Sequence, residues 1–212
     1  MNKNLDNPLE MVSLISPDTL IKVSSTLDKS VGKKNLIDGS PETCWTSQQG
    51  LPQTITLTFP SSSSSSRGVI PKTLSLTFQG GFVGQTCAIH VRPVPVHLDS
   101  SEKATWKVLK YIYPEDVNRR QTFTLPTPTV TTVNSALSSS SEPSTPPVTV
   151  GVSALPSAST DGRIGPEDII DAHPTVEKRL GISALKLTFE TSSDFFGRVT
   201  IYDLELKGYR LG

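Results

Sequence analysis

The clearest pattern along the chain is a period of two. Thr54 to Phe59 reads TITLTF, with Ile55, Leu57 and Phe59 on one side and threonines on the other. Thr73 to Phe78 (TLSLTF) and Ala184 to Phe189 (ALKLTF) repeat it. Such alternation puts every apolar side chain on one face of a pleated strand, and β-branched residues suit that surface. Weaker alternation predicts strands over Leu20–Thr26, Cys87–Arg92, Ala104–Ile112 and Gln121–Leu125, the last with Phe123 and Leu125 inward. The final segment, Arg198 to Lys207, changes phase. Val199 and Ile201 share one face; Tyr202, Leu204 and Leu206 share the other. One extra residue carries all later side chains across a sheet, so a bulge is predicted near Tyr202. Between the first strand and Gly39, one short helical turn is expected, ending at Asp38-Gly39, where glycine takes positive φ. The total is about eight strands with no helix suited to a parallel crossover, which predicts an all-β antiparallel jelly-roll sandwich.

Two stretches break the pattern. Six serines, Ser61 to Ser66, have nothing apolar to bury, so 61–67 is predicted as a low-complexity loop. Residues 126–182 are rich in Pro, Ser and Thr over Pro126–Thr160 and carry a weak helical signal over Pro166–Leu180, interrupted by Pro174. They are expected to form a long disordered insertion with some local helix. Residues 1–17 are a polar lead-in, expected to be a flexible tail, and 18–208 a single domain.

Composition refines this picture. The 212 residues carry 20 Lys+Arg and 20 Asp+Glu, and that balance argues against a chain built to hold phosphate backbones. The hydrophobic share of 35% is low only because of the two Ser/Pro-rich stretches. The first ten residues contain no apolar signal region, and no apolar run reaches the ~20 residues of a membrane helix. Cys44 and Cys87 read as reduced thiols of a cytosolic or nuclear protein, with one bridge between them as the alternative. His90, His97 and His173 are too scattered for a zinc set. No nucleophile elbow, phosphate loop or dinucleotide fingerprint is present, and no carboxylate pair can be given acid and base roles, so no enzyme is expected.

Asn35 to Ser47 (NLIDGSPETCWTS) resembles the opening signature of discoidin domains, also called coagulation factor V/VIII C-type or galactose-binding-like domains: a hydrophobic pair, Asp-Gly, a short turn, then Thr-x-Trp. Further pieces occur in order: Lys33-Lys34, Glu42 to Trp45, Phe78 to Phe82, Tyr113 to Asp116, Gln121 to Phe123, and Asp194 to Val199. Together they look like the small eukaryotic nuclear-receptor-associated repressor proteins, over about 20–125 and 183–208. That resemblance implies a non-enzymatic intracellular protein-interaction module, nuclear or cytoplasmic. Its partner would be a nuclear receptor or other nuclear factor, with no direct nucleic-acid contact. The alternative is a carbohydrate-binding, lectin-like domain with a structural calcium.

The resemblance also nominates residues. Calcium in galactose-binding-like domains implies Asp38, Thr43 and Asp203 as ligands, with the Asn35 and Ser40 carbonyls nearby; calcium takes six to eight oxygens. The competing reading has Asp38 capping its own turn. Discoidin domains bind through loops at one end, which implies Phe82, Phe195, Phe196 and Arg198 as a partner-binding patch. Against this, one of Phe195 and Phe196 belongs to the core, and Arg198 pairs with Asp194 or Glu115. Trp45 either stacks on a sugar or, the favoured reading, packs under the turn. Tyr113 to Asp116 is expected to shape a loop with solvated carboxylates.

Overall fold

Each alternating segment becomes a strand in the computed structural model, which describes residues 10–60, 68–94, 105–131, 177–179 and 181–211. In chain order these are β1 (Val12–Ser13), β2 (Leu20–Val23), β3 (Trp45–Thr46), β4 (Gln53–Thr58), β5 (Val69–Phe78), β6 (Thr86–Pro93), β7 (Lys107–Ile112), β8 (Arg120–Thr124), β9 (Thr129–Thr131), β10 (Glu177–Arg179), β11 (Ile182–Thr191) and β12 (Thr200–Arg210). Two short 3-10 turns, Lys29–Val31 and Lys33–Leu36, precede Gly39, which takes φ 73° as the Asp-Gly pair requires. The chain divides into Met1–Val130 with Lys178–Gly212, and Thr131–Glu177. The sandwich belongs to the first unit.

Every strand pair of the sandwich among the described residues is antiparallel. Strands β2, β4, β11, β6 and β7 form one layer. The other is built on β12, which pairs with β1, β3 and β5, while β5 also pairs with β8. The layers are hydrogen-bonded to each other at one corner, Ile182 opposite Val69. This is the expected antiparallel jelly-roll sandwich.

The core is the inner faces of both layers. On β4, Ile55 and Leu57 are buried, while Thr54, Thr56 and Thr58 face outward. Leu185, Leu187 and Phe189 from β11 meet Leu74, Leu76 and Phe78 from β5 in one cluster. Phe78 and Phe189 cross edge to face, 6.0 Å between ring centroids. Register slips between Ile201 and Asp203, which is the bulge predicted near Tyr202. It is what lets Ile201 and Leu204, three residues apart, both point inward.

Two boundaries differ from expectation. Residues 12–17 are not a flexible tail: β1 pairs with the C-terminal end of β12, and Leu14 is wholly buried. A two-residue strand leaves no visible period, so local pattern could not reveal it. Within 126–182, Pro128 is buried and Thr129–Thr131 pairs with Glu177–Arg179 as a separate ladder; Ile182 already belongs to β11. Thr129-Val130-Thr131 has the β-branched composition of a strand. The serine run and the remainder of that insertion, with its expected helix, lie outside the described residues.

Leu14→Ala is therefore expected to cost about 2–4 kcal/mol. Urea unfolding checks this: the midpoint should fall with the slope unchanged. A substitution in a flexible tail would move neither.

Candidate functional site

The loops at one end of the sandwich are built by short polar side chains acting on backbone. In the connection between β11 and β12, the Ser192 hydroxyl donates to the Arg198 carbonyl (2.6 Å) and accepts from the Asp194 amide (3.1 Å). The Asp194 carboxylate accepts from the Arg198 amide, Nε and Nη2, each at 3.0 Å. A planar guanidinium matches a carboxylate in this forked geometry. The Arg198 hydrogen bond, more than the charge itself, holds the Asp194 carboxyl below its ordinary value. Its contribution is thus complete above the unfolded carboxyl pKa of ~3.9. It is lost only as pH falls through the lower folded value.

This clamp presents Phe195 and Phe196. Gly197 has φ 76°, and a Cβ there would sit 3.0 Å from the Leu51 side chain, so the chain turns sharply at the one residue that tolerates it. Phe195 is 95% exposed and Phe196 53%. Their rings cross edge to face at 5.3 Å. The Phe196 carbonyl accepts from the Gly50 amide (2.8 Å), tying on the loop before β4, where Leu51 is also exposed.

Beneath that second loop lies Gln53, a buried side chain with every polar atom used. Its Nε2 donates to the Gly50 and Gln48 carbonyls (2.6 and 3.0 Å), and its Oε1 accepts from Ser24 and Ser25 (2.5 and 2.7 Å). The third loop carries half-buried Phe82. The Thr200 amide donates to the Phe82 carbonyl, and the Asp116 carboxylate accepts from the Gly81 amide at 2.7 Å. Both carboxylates of 113–116 are exposed, as expected, and Asp116 also pins a neighbouring loop. Glu115 pairs with Arg119 instead.

The structure brings all four nominated patch residues together. The Arg198 guanidinium lies 4.9 Å from the Phe82 ring centroid and 5.7 Å from that of Phe196. Arg198 does pair with Asp194, as the competing reading held, but neither Phe195 nor Phe196 is core. The result is a pre-formed apolar tip around a fixed cation. Burying one phenyl ring is worth about 1.5–3 kcal/mol, and here that area is left to solvent. Trp45, by contrast, is fully buried, its indole donating to the Ser25 carbonyl (3.0 Å), so it is core.

The residues nominated for calcium have other partners. The Asp38 carboxylate accepts from the Ser40 amide (3.0 Å) and from the Thr43 hydroxyl (2.6 Å), which lower its pKa in the reverse order of importance. That is the turn-capping arrangement. Asp203 is reached by the Arg120 guanidinium at 3.0 Å; burial outweighs this cation and raises its pKa, helped by Glu205 and Asp38. Asp203 lines a cleft of about 350 Å³ together with Ile15, Ile37, Gly39, Arg120 and Glu205, among others. A cation already stands at the Asp203 carboxylate, and among the described residues no cluster of three His, Cys, Asp or Glu side chains is suited to a metal. In this arrangement Asp38 serves as the cap of its turn and Asp203 as one half of an ion pair.

Comparison with known proteins settles the family. The nuclear receptor 2C2-associated protein of Mus musculus is 30% identical over 203 residues, covering 94% of this chain and 98% of the relative. That of Danio rerio is 31% identical over 199 residues, covering 92% and 95%. The chain belongs to the nuclear receptor 2C2-associated protein family. No protein-family model matches it. Among solved structures, the family 32 carbohydrate-binding module of C. perfringens NanJ, in complex with galactose, aligns with TM-score 0.50 at 13% identity, over 93% of this chain and 99% of that one. That likeness establishes the galactose-binding-like fold for this member of the family, and the fold alone.

Local pattern did not reveal Gln53 as the loop support or Leu51 as a patch member. Gln53 alone left a trace: a long polar residue in phase with Ile55 and Leu57. Gln53→Ala is expected to cost about 1–3 kcal/mol by orphaning buried partners; chemical denaturation measures it, and amide exchange of 48–51 should accelerate. Asp38→Ala should lower the melting temperature equally in calcium and in chelator. A calcium-dependent stabilisation lost in that variant would restore the metal reading.

Proposed function

We propose that the chain is a non-enzymatic protein-interaction module that grips its partner with the loop-borne patch of Phe82, Phe195, Phe196 and Arg198. The observation carrying this reading is the exposure of two adjacent phenyl rings on a backbone locked by the Asp194–Arg198 clamp. A rigid, solvent-exposed aromatic anchor loses little conformational entropy on binding, and aromatic and arginine side chains dominate interface energetics. The relatives are named for association with nuclear receptor 2C2, so the proposed partner is a nuclear receptor of that kind. The proposed location is the nucleus or cytoplasm, and transcriptional repression is the proposed consequence. Among the described residues no helix is long and apolar enough to cross a membrane.

The test is binding of the purified chain to purified nuclear receptor 2C2 by calorimetry. Phe195→Ala with Phe196→Ala should weaken binding at least about tenfold, while the melting temperature stays put because neither ring is core. Unchanged affinity would remove the patch from the interface. Glycan-array binding that depends on these rings, with no receptor binding, would favour the lectin-like reading.

A further inference from the structure

The outer face of the layer β2–β4–β11–β6–β7 has a charge pattern unrelated to the loop patch. Across the strands Lys22 lies opposite Thr56, Thr56 opposite Lys186, Lys186 opposite His90, and His90 opposite Val108. Arg92, two residues from His90 on the same face, lies opposite Ala184. With strands about 4.8 Å apart, Lys22 and Lys186 stand about 10 Å from each other. None of these positions carries a carboxylate. Among the described residues Lys22, Lys186 and Arg92 make no ion pair, whereas on the other layer Asp203 and Glu205 are matched by Arg120 and Lys207. His90 registers both signs: burial and then the Lys186 charge pull its pKa down, while Glu190, four residues along β11 from Lys186, acts the other way.

Trp106 orders two of these cations. Lys186 Nζ is 4.9 Å and the Arg92 guanidinium carbon 5.5 Å from its ring centroid. Cations held over an aromatic ring keep their charge outward and lose less freedom when an anion arrives. Next to them on β7, Val108 is 53% and Tyr111 43% exposed. Among the described residues this face carries three spaced cations that make no ion pair, one acid, Glu190, further along β11, and an apolar border; that arrangement complements an extended chain bearing carboxylates and one or two apolar side chains. Single-stranded nucleic acid is the poorer match, because base stacking needs an open ring face and both cations lie over Trp106.

We propose that this face is a second docking surface. It takes an extended acidic segment of a protein partner, with carboxylates on Lys22, Lys186 and Arg92 and an apolar side chain on Val108 and Tyr111. The experiment is fluorescence anisotropy on the whole chain. The probes are a labelled peptide alternating glutamate and leucine, its lysine–leucine counterpart, and labelled oligothymidylate. The acidic peptide alone should bind, more weakly as salt rises. Lys22→Glu, exposed and clear of Trp106, should weaken binding about tenfold, in the range of one charge-assisted contact, with no change in melting temperature. Arg92→Gln with Lys186→Gln should weaken it further, and Phe195→Ala should leave it unchanged. Binding of oligothymidylate alone would overturn the proposal in favour of nucleic acid. Absence of binding by all probes would overturn it outright. Peptide binding gained only after Asp99→Asn with Glu102→Gln would show that the chain's own β6–β7 connection covers the face, and would equally overturn it.

Discussion

Everything in this molecule rests on two apolar sheet faces being shut against each other, with Phe78 of one layer wedged edge-on against Phe189 of the other. Neither layer can stand alone, since each presents a row of leucine, isoleucine and phenylalanine that water would otherwise cover. The corner at Ile182 and Val69 holds the layers together by backbone hydrogen bonding, and the bulge at Tyr202 keeps β12 in phase with that closure. Without the bulge, Leu204 and Leu206 would turn to solvent.

A closed core of this kind frees the loops at its end from any structural duty beyond connection. Their rigidity comes from short polar side chains bonded to backbone: Ser192, Asp194, Gln53 and Asp116 each satisfy amides or carbonyls that the sheet leaves over. Because those bonds fix the backbone, Phe195 and Phe196 stay outside the core despite the hydrophobic incentive to fold in. The same economy operates at the Asp38 turn, where one carboxylate closes the corner through Ser40 and Thr43.

The two layers differ in how they treat charge. Outward carboxylates of β12 are neutralised by Arg120 and Lys207, while among the described residues Lys22, Lys186 and Arg92 on the other layer make no ion pair and share their face with the acid Glu190. A zero net charge over the whole chain concealed this separation.

Strand identity, antiparallel class and the Tyr202 phase change were legible in the residue order alone, because a half-buried strand writes its two faces into alternate positions. The four residues gathered at the loop end were nominated by the resemblance to discoidin domains, not by that alternation. Tertiary structure alone decided which rings stay exposed, since Phe82 lies about a hundred residues from Arg198 and they meet only when β5 and β12 pair. It also decided that β1 is a strand, that Arg120 pairs with Asp203, and that Lys22, Lys186 and Arg92 share one face. Those facts depend on which strands become neighbours, and strand neighbours are set by long-range burial that no local period encodes.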